Sequence, residues 1–549
     1  MKKYIFILAG LYCALTSAMS GQPAPLEHSE LKKSDANIIG HVLDKNSEEH
    51  LPYITIALKG TTIGTVTDAT GHYFLKNLPE GNFVMEVSSV GYKTITRSVT
   101  LKKGKTLEEN FELEEDAIAL DGVVVSANRN ETTRRMAPTL VNVVDLKLFE
   151  STNSSTLSQG LNFQPGVRVE TNCQNCGFQQ VRINGLDGPY TQILIDSRPV
   201  FSALSGVYGL EQIPASMIER VEVMRGGGSA LFGSSAIAGT INIITKEPLR
   251  NSGQLSHTIT GFSGGNSFDN NTSLNLSLVT DDHRAGVYIF GQNRHRSGYD
   301  YDGDGFTELP KLKNQTVGFR SYFKTSTYSK LTFEYHHLQE FRRGGDMLNR
   351  PPHEANIAEQ LEHAIYCVSL KFDYFSPNEK HRFSVFTSAA NTDRDSYYGG
   401  GQDPNAYGKT TDFTVMGGTQ YMYSFGRCLF MPADLTAGLE YNRDHLEDNM
   451  WGYNRHTEQT VNIYSGFLQN EWKNEKWGIL LGGRLDKHNM VDHVIFSPRA
   501  NLRFNPTKDV NFRLSYASGF RAPQAFDEDM HIENVGGTVF MIERAKGLK

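Results

Sequence analysis

IERVEVMRGGGSALFGSSAIAGTINIITK, residues 218–246, is the stretch whose reading decides the fold. It opens with alternation, Val221 and Val223 against Glu222 and Met224, the period-2 signature of a strand. Arg225-Gly226-Gly227-Gly228 follows, where the backbone needs freedom that side chains deny. A run of small residues around Gly233 and Gly239 leads into a second strand over residues 240–245. Small residues let backbones pack closely, so a compact sheet with tight turns is expected. A Gly run after a strand can cradle phosphate, but no GK[ST] pattern follows and no helix start is expected, which argues against a nucleotide site.

Composition limits what can surround this sheet. A chain of 549 residues suggests about three domains. Hydrophobic content is 39% and mean hydropathy −0.40, yet Tyr (24), Phe (31) and Gly (51) are abundant. Beyond the N-terminus no run approaches the roughly 20 apolar residues of a membrane helix. A membrane β-barrel stays open, because its alternating strands dilute hydropathy. The net charge of −7, with scattered charges and no basic stripe, argues against a nucleic-acid binder. Residues 1–20 read as a secretory signal: Lys2-Lys3, an apolar run over 4–15, and Ala18-Met19-Ser20 for cleavage. Cys13 lies in the apolar run after bulky Tyr12, against a lipid anchor. The exported chain then keeps four cysteines in a disulfide-permissive compartment.

With VRINGLDGPYTQILIDSRPV (residues 181–200), the opening stretch resembles the plug domain of TonB-dependent outer-membrane receptors. Two positions depart from that family's pattern. Asn184 separates Arg182 from Gly185, where Arg-Gly is usual, and Ser197 follows Asp196 where Gly is usual. The resemblance implies a plug over 137–248, with Arg182, Gly185, Asp196, Glu219, Glu222, Arg225, Gly226, Gly233 and Gly239 as its core and latch. Glu219, Glu222 and Arg225 would hold the plug in the barrel yet release on pulling. A short helix is expected in SSTLSQGLNFQPGVRVE. The loops over 170–180, 186–190 and 198–209 would face cargo, with Cys173, Cys176, Tyr190, Phe201 and Tyr208 as apex candidates.

Upstream, residues 37–115 show short alternating strands between Gly, Pro, Asp and Asn turns, an Ig-like or transthyretin-like sandwich. TVTDATGHYFL and VSSVGY resemble the carboxypeptidase-regulatory-like domain ahead of Bacteroidetes-type receptors. Zinc carboxypeptidase chemistry needs an His-x-x-Glu pair. His337 and Glu340 have that spacing but lie in an alternating strand, facing opposite sides, so no enzyme is expected. Between sandwich and plug, Asp121-Gly122-Val123-Val124-Val125-Ser126-Ala127, within a linker over 120–135, resembles a TonB box. An exposed extended β-branched segment can add a strand to a partner's sheet.

From residue 250 to 549 the pattern is strands of about 10–15 residues, including AGVYIFGQN, KLTFEYHHL and WGILLGGRLD. Short connections such as TDDH and NEK alternate with long ones over 294–312, 341–361, 394–411 and 443–460, as in outer-membrane barrels. About 13 strands are expected, against 22 in family barrels, so the barrel reads as partial or truncated. The fold class is therefore mostly β: a sandwich, an α+β plug and an antiparallel transmembrane barrel.

Side-chain clusters leave several readings open. Cys173-Gln174-Asn175-Cys176 could be a small disulfide loop or a thiolate site for copper or zinc, although Asn172 and Gln179 do not complete a ligand set. Asp300, Asp302 and Asp304, with Gly305 and Glu308, follow a calcium-loop spacing and suggest structural Ca²⁺; Lys311 at position 12 excludes a full EF-hand. His336, His337, His353, His363 and Met347 sit in or beside one expected loop, and rim histidines are commonly structural. Tyr397, Tyr398 and Tyr407 around Gly399-Gly400-Gly401 suggest a flexible aromatic tip. Cys367 and Cys428 show no partner. The resemblance implies import energised by TonB with ExbB and ExbD, of a ferric siderophore, haem, cobalamin or other metal chelate, with no cofactor required. Other partners it admits are outer-membrane lipid and a surface lipoprotein. The alternatives are a signalling receptor, an adhesin, or copper or zinc import through the cysteine pair.

Overall fold

The computed structural model describes residues 33–68, 70–89, 92–115, 123–173, 175–198, 213–234, 236–262, 267–507, 510–522, 524, 525, 530 and 532. Three β units follow one another along them. In the first, Lys33–Asp44 pairs antiparallel with His72–Pro79 and parallel with Thr106–Glu108 and Phe111–Leu113. A second sheet orders Gly64–Val66, Thr55–Leu58, Gly81–Ser88 and Ile95–Leu101. Alternation puts Ile56, Leu58, Met85, Val87, Phe111 and Leu113 between the sheets, all buried.

In the plug, Ile218–Arg225 and Gly239–Thr245 are the central strands of a four-stranded sheet, flanked by Val141–Asp145 and Thr191–Ile195. Gly239 is required by proximity, since a Cβ there would lie 2.3 Å from the Met224 carbonyl oxygen. Gly226, at φ +82°, turns the chain out of the strand. Contrary to expectation, a one-turn helix, Ser229–Phe232, follows the glycines. All four of its residues are buried, because this small segment fills the space under the wall residue Arg484. The helices Leu146–Ser151 and Leu157–Leu161 precede the hairpin Val167–Cys173 and Phe178–Ile183. Asp145 caps the first helix by accepting from the Leu148 N–H at 2.9 Å.

The two departures from the family pattern are turns. Asn184 and Gly185 (φ +53° and +83°) make a tight hairpin turn closed by Leu186 N–H to Ile183 carbonyl. Asp196 and Ser197 do the same (φ +48° and +65°). A serine there costs about 1–2 kcal/mol, offset by the Ser197 N–H donating to Asn242 at 2.8 Å.

Among the described residues, the chain from 252 onward forms one antiparallel sheet of 13 strands, each paired with the next, from Ser252–Gly261 to Phe512–Ala517. Its faces invert the soluble pattern. Leu255, Leu439, Leu468, Leu485, Phe496 and Leu514 are exposed outside, while Arg342, Arg394, Asp448, Arg484 and Arg503 are buried inside. A hydrocarbon-facing exterior and polar interior are the membrane-barrel arrangement. No helix among the described residues is long and apolar enough to cross a membrane.

Three expectations are corrected here. Strands reach 22 residues (Tyr407–Cys428) rather than 15. Two of the four expected long loops are largely ladder, since strands run to Gly400 and Met450 and resume at Tyr407 and Arg455, whereas 297–310 and 346–356 remain long connections as expected. Polar residues on both faces erase the hydropathy alternation there, but the ladder needs only backbone groups. Finally, Tyr397 and Tyr398 are buried wall residues rather than a flexible tip. Tyr397 donates to the Asp403 carbonyl at 2.9 Å and meets Tyr407 edge-on.

Candidate functional site

At the short-turn end, the segment after the sandwich is folded inward. Val123–Val124 pairs with Thr132–Thr133, and Val124, Ser126 and Ala127 are fully buried. This corrects the expectation of an exposed strand: the apolar segment finds the plug core, where Val124 and Ala127 join Met224, Leu231 and Phe232. Glu222 holds it there. Its Oε2 accepts from the N–H groups of Val125 and Ser126, both at 2.9 Å, and from Ser126 Oγ at 2.7 Å. Asn242 donates to Ser126 Oγ at 3.0 Å. From the wall, Arg499 donates to the Ala127 carbonyl at 2.5 Å, and Gln469 to the Asn128 carbonyl at 2.8 Å. Asp121 and Gly122 lie outside the described residues.

Glu222 therefore binds the linker segment and Arg220, not the barrel. Glu219 pairs with Arg220 at 2.9 Å, and Arg225 donates to the Pro165 carbonyl. The hydrogen bonds and ion pairs of these three side chains stay within the plug and its linker, and other residues make the ion pairs with the wall. The plug–wall ion pairs centre on Arg320, which reaches Asp196, Thr245 and Glu334 and lies 3.2 Å from Glu247. Lys330 pairs with Glu247 at 3.0 Å. Further along the same sheet, Arg484 donates to Glu440 at 2.7 Å and to the Leu231 carbonyl at 3.2 Å, and Arg129 also pairs with Glu440. Of this set the sequence singled out only Asp196; the wall partners carry no local signal.

Burial would raise the carboxyl pKa values of Asp196 and Glu247. Arg320 and Arg198 outweigh it at Asp196, and Lys330 and Arg320 at Glu247, so both sit below their ordinary values of 3.8 and 4.5. A depressed folded-state pKa gives stability that is present above the ordinary value and lost as pH falls toward the folded one. Thermal unfolding of the purified chain should thus be insensitive to these pairs from about pH 5 to 8 and weaken below about pH 4. An Arg320→Ala variant should show a shallower acid decline; an equal decline would assign acid sensitivity elsewhere.

The apex candidates lie at the opposite, long-loop end. Cys173 and Cys176 are thiols, and Cys173 Sγ lies 3.2 Å from the wall carboxylate Glu359. Thus the disulfide reading is not what the structure holds. Arg182 pairs with Glu170 (2.6 Å) and Asp187 (2.9 Å), bracing the hairpin. The Tyr190 carbonyl accepts from Ala238 N–H at 2.8 Å, tying the apex to the opening stretch. Phe201 and Tyr208 lie outside the described residues.

The four carboxylates of Asp300, Asp302, Asp304 and Glu308 approach within 4.8 Å. Asp300 accepts from the Gly303 and Gly305 N–H groups at 2.7 and 2.9 Å. The calcium expectation stands on this exposed acidic cluster alone. The histidines have separate partners: His337 stacks on Tyr366, His353 bonds Tyr407, and buried His363 lies 3.9 Å from Glu340.

Comparison with known proteins matches three family models: a CarboxypepD_reg-like domain over 38–125, a TonB-dependent receptor plug domain over 133–240, and a TonB-dependent receptor-like β-barrel over 240–540. A curated relative, the vitamin B12 transporter BtuB of Vibrio vulnificus (strain CMCP6), is 37% identical over 125 residues, 23% of this chain and 20% of that transporter. Among solved structures, the siderophore receptor PirA from Acinetobacter baumannii superposes with a TM-score of 0.61 at 18% identity, over 71% of this chain and 62% of PirA. A ferric enterobactin receptor, PfeA from Pseudomonas aeruginosa, gives 0.61 at 20% identity, over 71% and 63%. The chain thus spans less than two thirds of the receptors it matches, and at these identities the likeness to solved structures is one of fold.

Proposed function

The chain belongs to the TonB-dependent receptor family of Gram-negative outer membranes, and from that premise we propose that it serves energised import of a metal chelate or cobalamin. The observation that carries this reading is the inward-folded segment Val124–Ala127, held at one end of a plugged barrel by Glu222 and Arg499. In this reading it is the TonB box, residues 121–127. The short-turn end faces the periplasm. There the N-terminal sandwich rests on the barrel turns, with Thr62 N–H donating to the Thr327 carbonyl at 2.9 Å. Cargo would meet the plug at the long-loop end, around Cys173, Cys176 and Tyr190.

Pulling on the box then acts on these hydrogen bonds and on the packing of Val124 and Ala127 against the plug core. Glu222 lies in a strand that pairs with both neighbours, Val141–Asp145 and Gly239–Thr245. Force applied to the box therefore reaches the sheet that fills the barrel. Nothing in this arrangement performs chemistry on cargo; the proteins it resembles are receptors and transporters.

The curated relative carries vitamin B12, so cobalamin is the cargo to test first, followed by ferric siderophores and haem. Growth of a strain deleted for the full-length gene, on single sources of cobalamin, iron chelate or haem, tests the reading. Loss on one source, restored by the intact gene, is expected. Undiminished growth and uptake on all of them would overturn it.

A further inference from the structure

The apex cysteines acquire a third ligand from the wall that their sequence neighbours could not supply. Cys173 Sγ, Cys176 Sγ and a carboxylate oxygen of Glu359 all lie within 4.8 Å of one another. Glu359 stands in the strand Ile357–Phe375, 186 residues away in sequence from Cys173. Cys176 and Glu359 are buried, and Cys173 is partly exposed.

Three further contacts show that loop and wall are fitted to each other here. The Arg342 guanidinium donates to the carbonyls of Cys176 (3.5 Å) and Gly177 (3.3 Å). A Cβ at wall position Gly344 would lie 1.9 Å from the Asn175 carbonyl oxygen, so only glycine admits the loop. Cys176 also packs with Leu361, Tyr398 and Met450. The cysteines therefore meet Glu359 in a fixed, largely dry setting.

We propose that Cys173, Cys176 and Glu359 form a Zn²⁺ site that ties the plug apex to the barrel wall. Tetrahedral zinc, with bonds of about 2.3 Å to sulfur and about 2.0–2.2 Å to oxygen, keeps its ligand atoms roughly 3.5–3.8 Å apart. Small side-chain rotations bring the present spacing into that range. On binding, the two thiols release two protons, and two thiolates with one carboxylate surround the dication. The site then carries one net negative charge, beside Arg342. An oxygen ligand favours zinc over Cu⁺, which prefers an all-sulfur set. Three protein ligands leave the fourth position of a tetrahedral ion to water or to a donor atom of cargo. The assignment does not depend on the import reading.

The test is Zn²⁺ titration of the purified, reduced full chain against a chromophoric chelator, with metal content by mass spectrometry. One equivalent of Zn²⁺ is expected, lost in the Cys173→Ser, Cys176→Ser double variant and weakened at least about tenfold in Glu359→Gln. Circular dichroism confirms that each variant keeps its strands, and the near-isosteric Glu359→Gln stands as the decisive one if the cysteine variants misfold. Three results would overturn the proposal. They are zinc binding no tighter than in the double variant, binding unchanged by Glu359→Gln, and a Cys173–Cys176 disulfide in protein isolated from membranes without reductant.

Discussion

Replacing Val125 with proline is expected to drop energised uptake to the level of a strain lacking the gene, while cell-surface binding of cargo persists. The Val125 N–H donates to Glu222, and any strand added to a partner sheet needs such donors along the segment. Proline removes the donor and fixes φ, so the segment can neither rest on Glu222 as it does nor complete a ladder with a partner. Val125→Ala keeps the N–H and should retain most uptake. Labelled cobalamin or ferric chelate, followed in energised and de-energised cells, separates binding from transport. Uptake at the native rate in the proline variant would remove residues 121–127 from the mechanism.

Glu222→Ala should loosen the same segment from the other side. The carboxylate is fully buried and serves two backbone N–H groups, Ser126 Oγ and Arg220. Its loss leaves two buried donors unsatisfied, at about 1–3 kcal/mol each. Arg220 keeps Glu219 as a partner, which moderates the cost of its lost ion pair. Amide hydrogen exchange at Val125 and Ser126 should accelerate by about tenfold or more, with the sandwich strands unaffected. A cysteine introduced at position 124, buried in the native chain, should become open to thiol reagents. If exchange at these two amides is unchanged, Glu222 is not what retains the segment. The measurement is direct because it reads the bonds the substitution removes.

Much of the architecture was legible because each unit is written in local periodicity. The alternation of Val221 and Val223 with Glu222 and Met224 marks a plug strand, and Gly226 marks a turn whose positive φ glycine adopts readily. The barrel strands were legible where one face meets lipid and the other the polar interior. They were not legible beyond the apolar belt, and so the stretches around Gly400 and Met450 read as loops. Tyr397 and Tyr398 were misplaced with them.

The sequence by itself determined the order of units, the strand character of residues 218–225 and 239–245, and the family. Only the tertiary structure decided which side chains meet. Glu222 faces Ser126 across 96 residues, Arg320 gathers Asp196 and Glu247 from the plug, and Glu359 reaches Cys173 across 186. Periodicity fixes which face a residue takes, because it depends only on backbone geometry over a few neighbours. What lies opposite that face depends on strand register and on how the plug seats against the wall, and those are settled by contacts far apart in the chain.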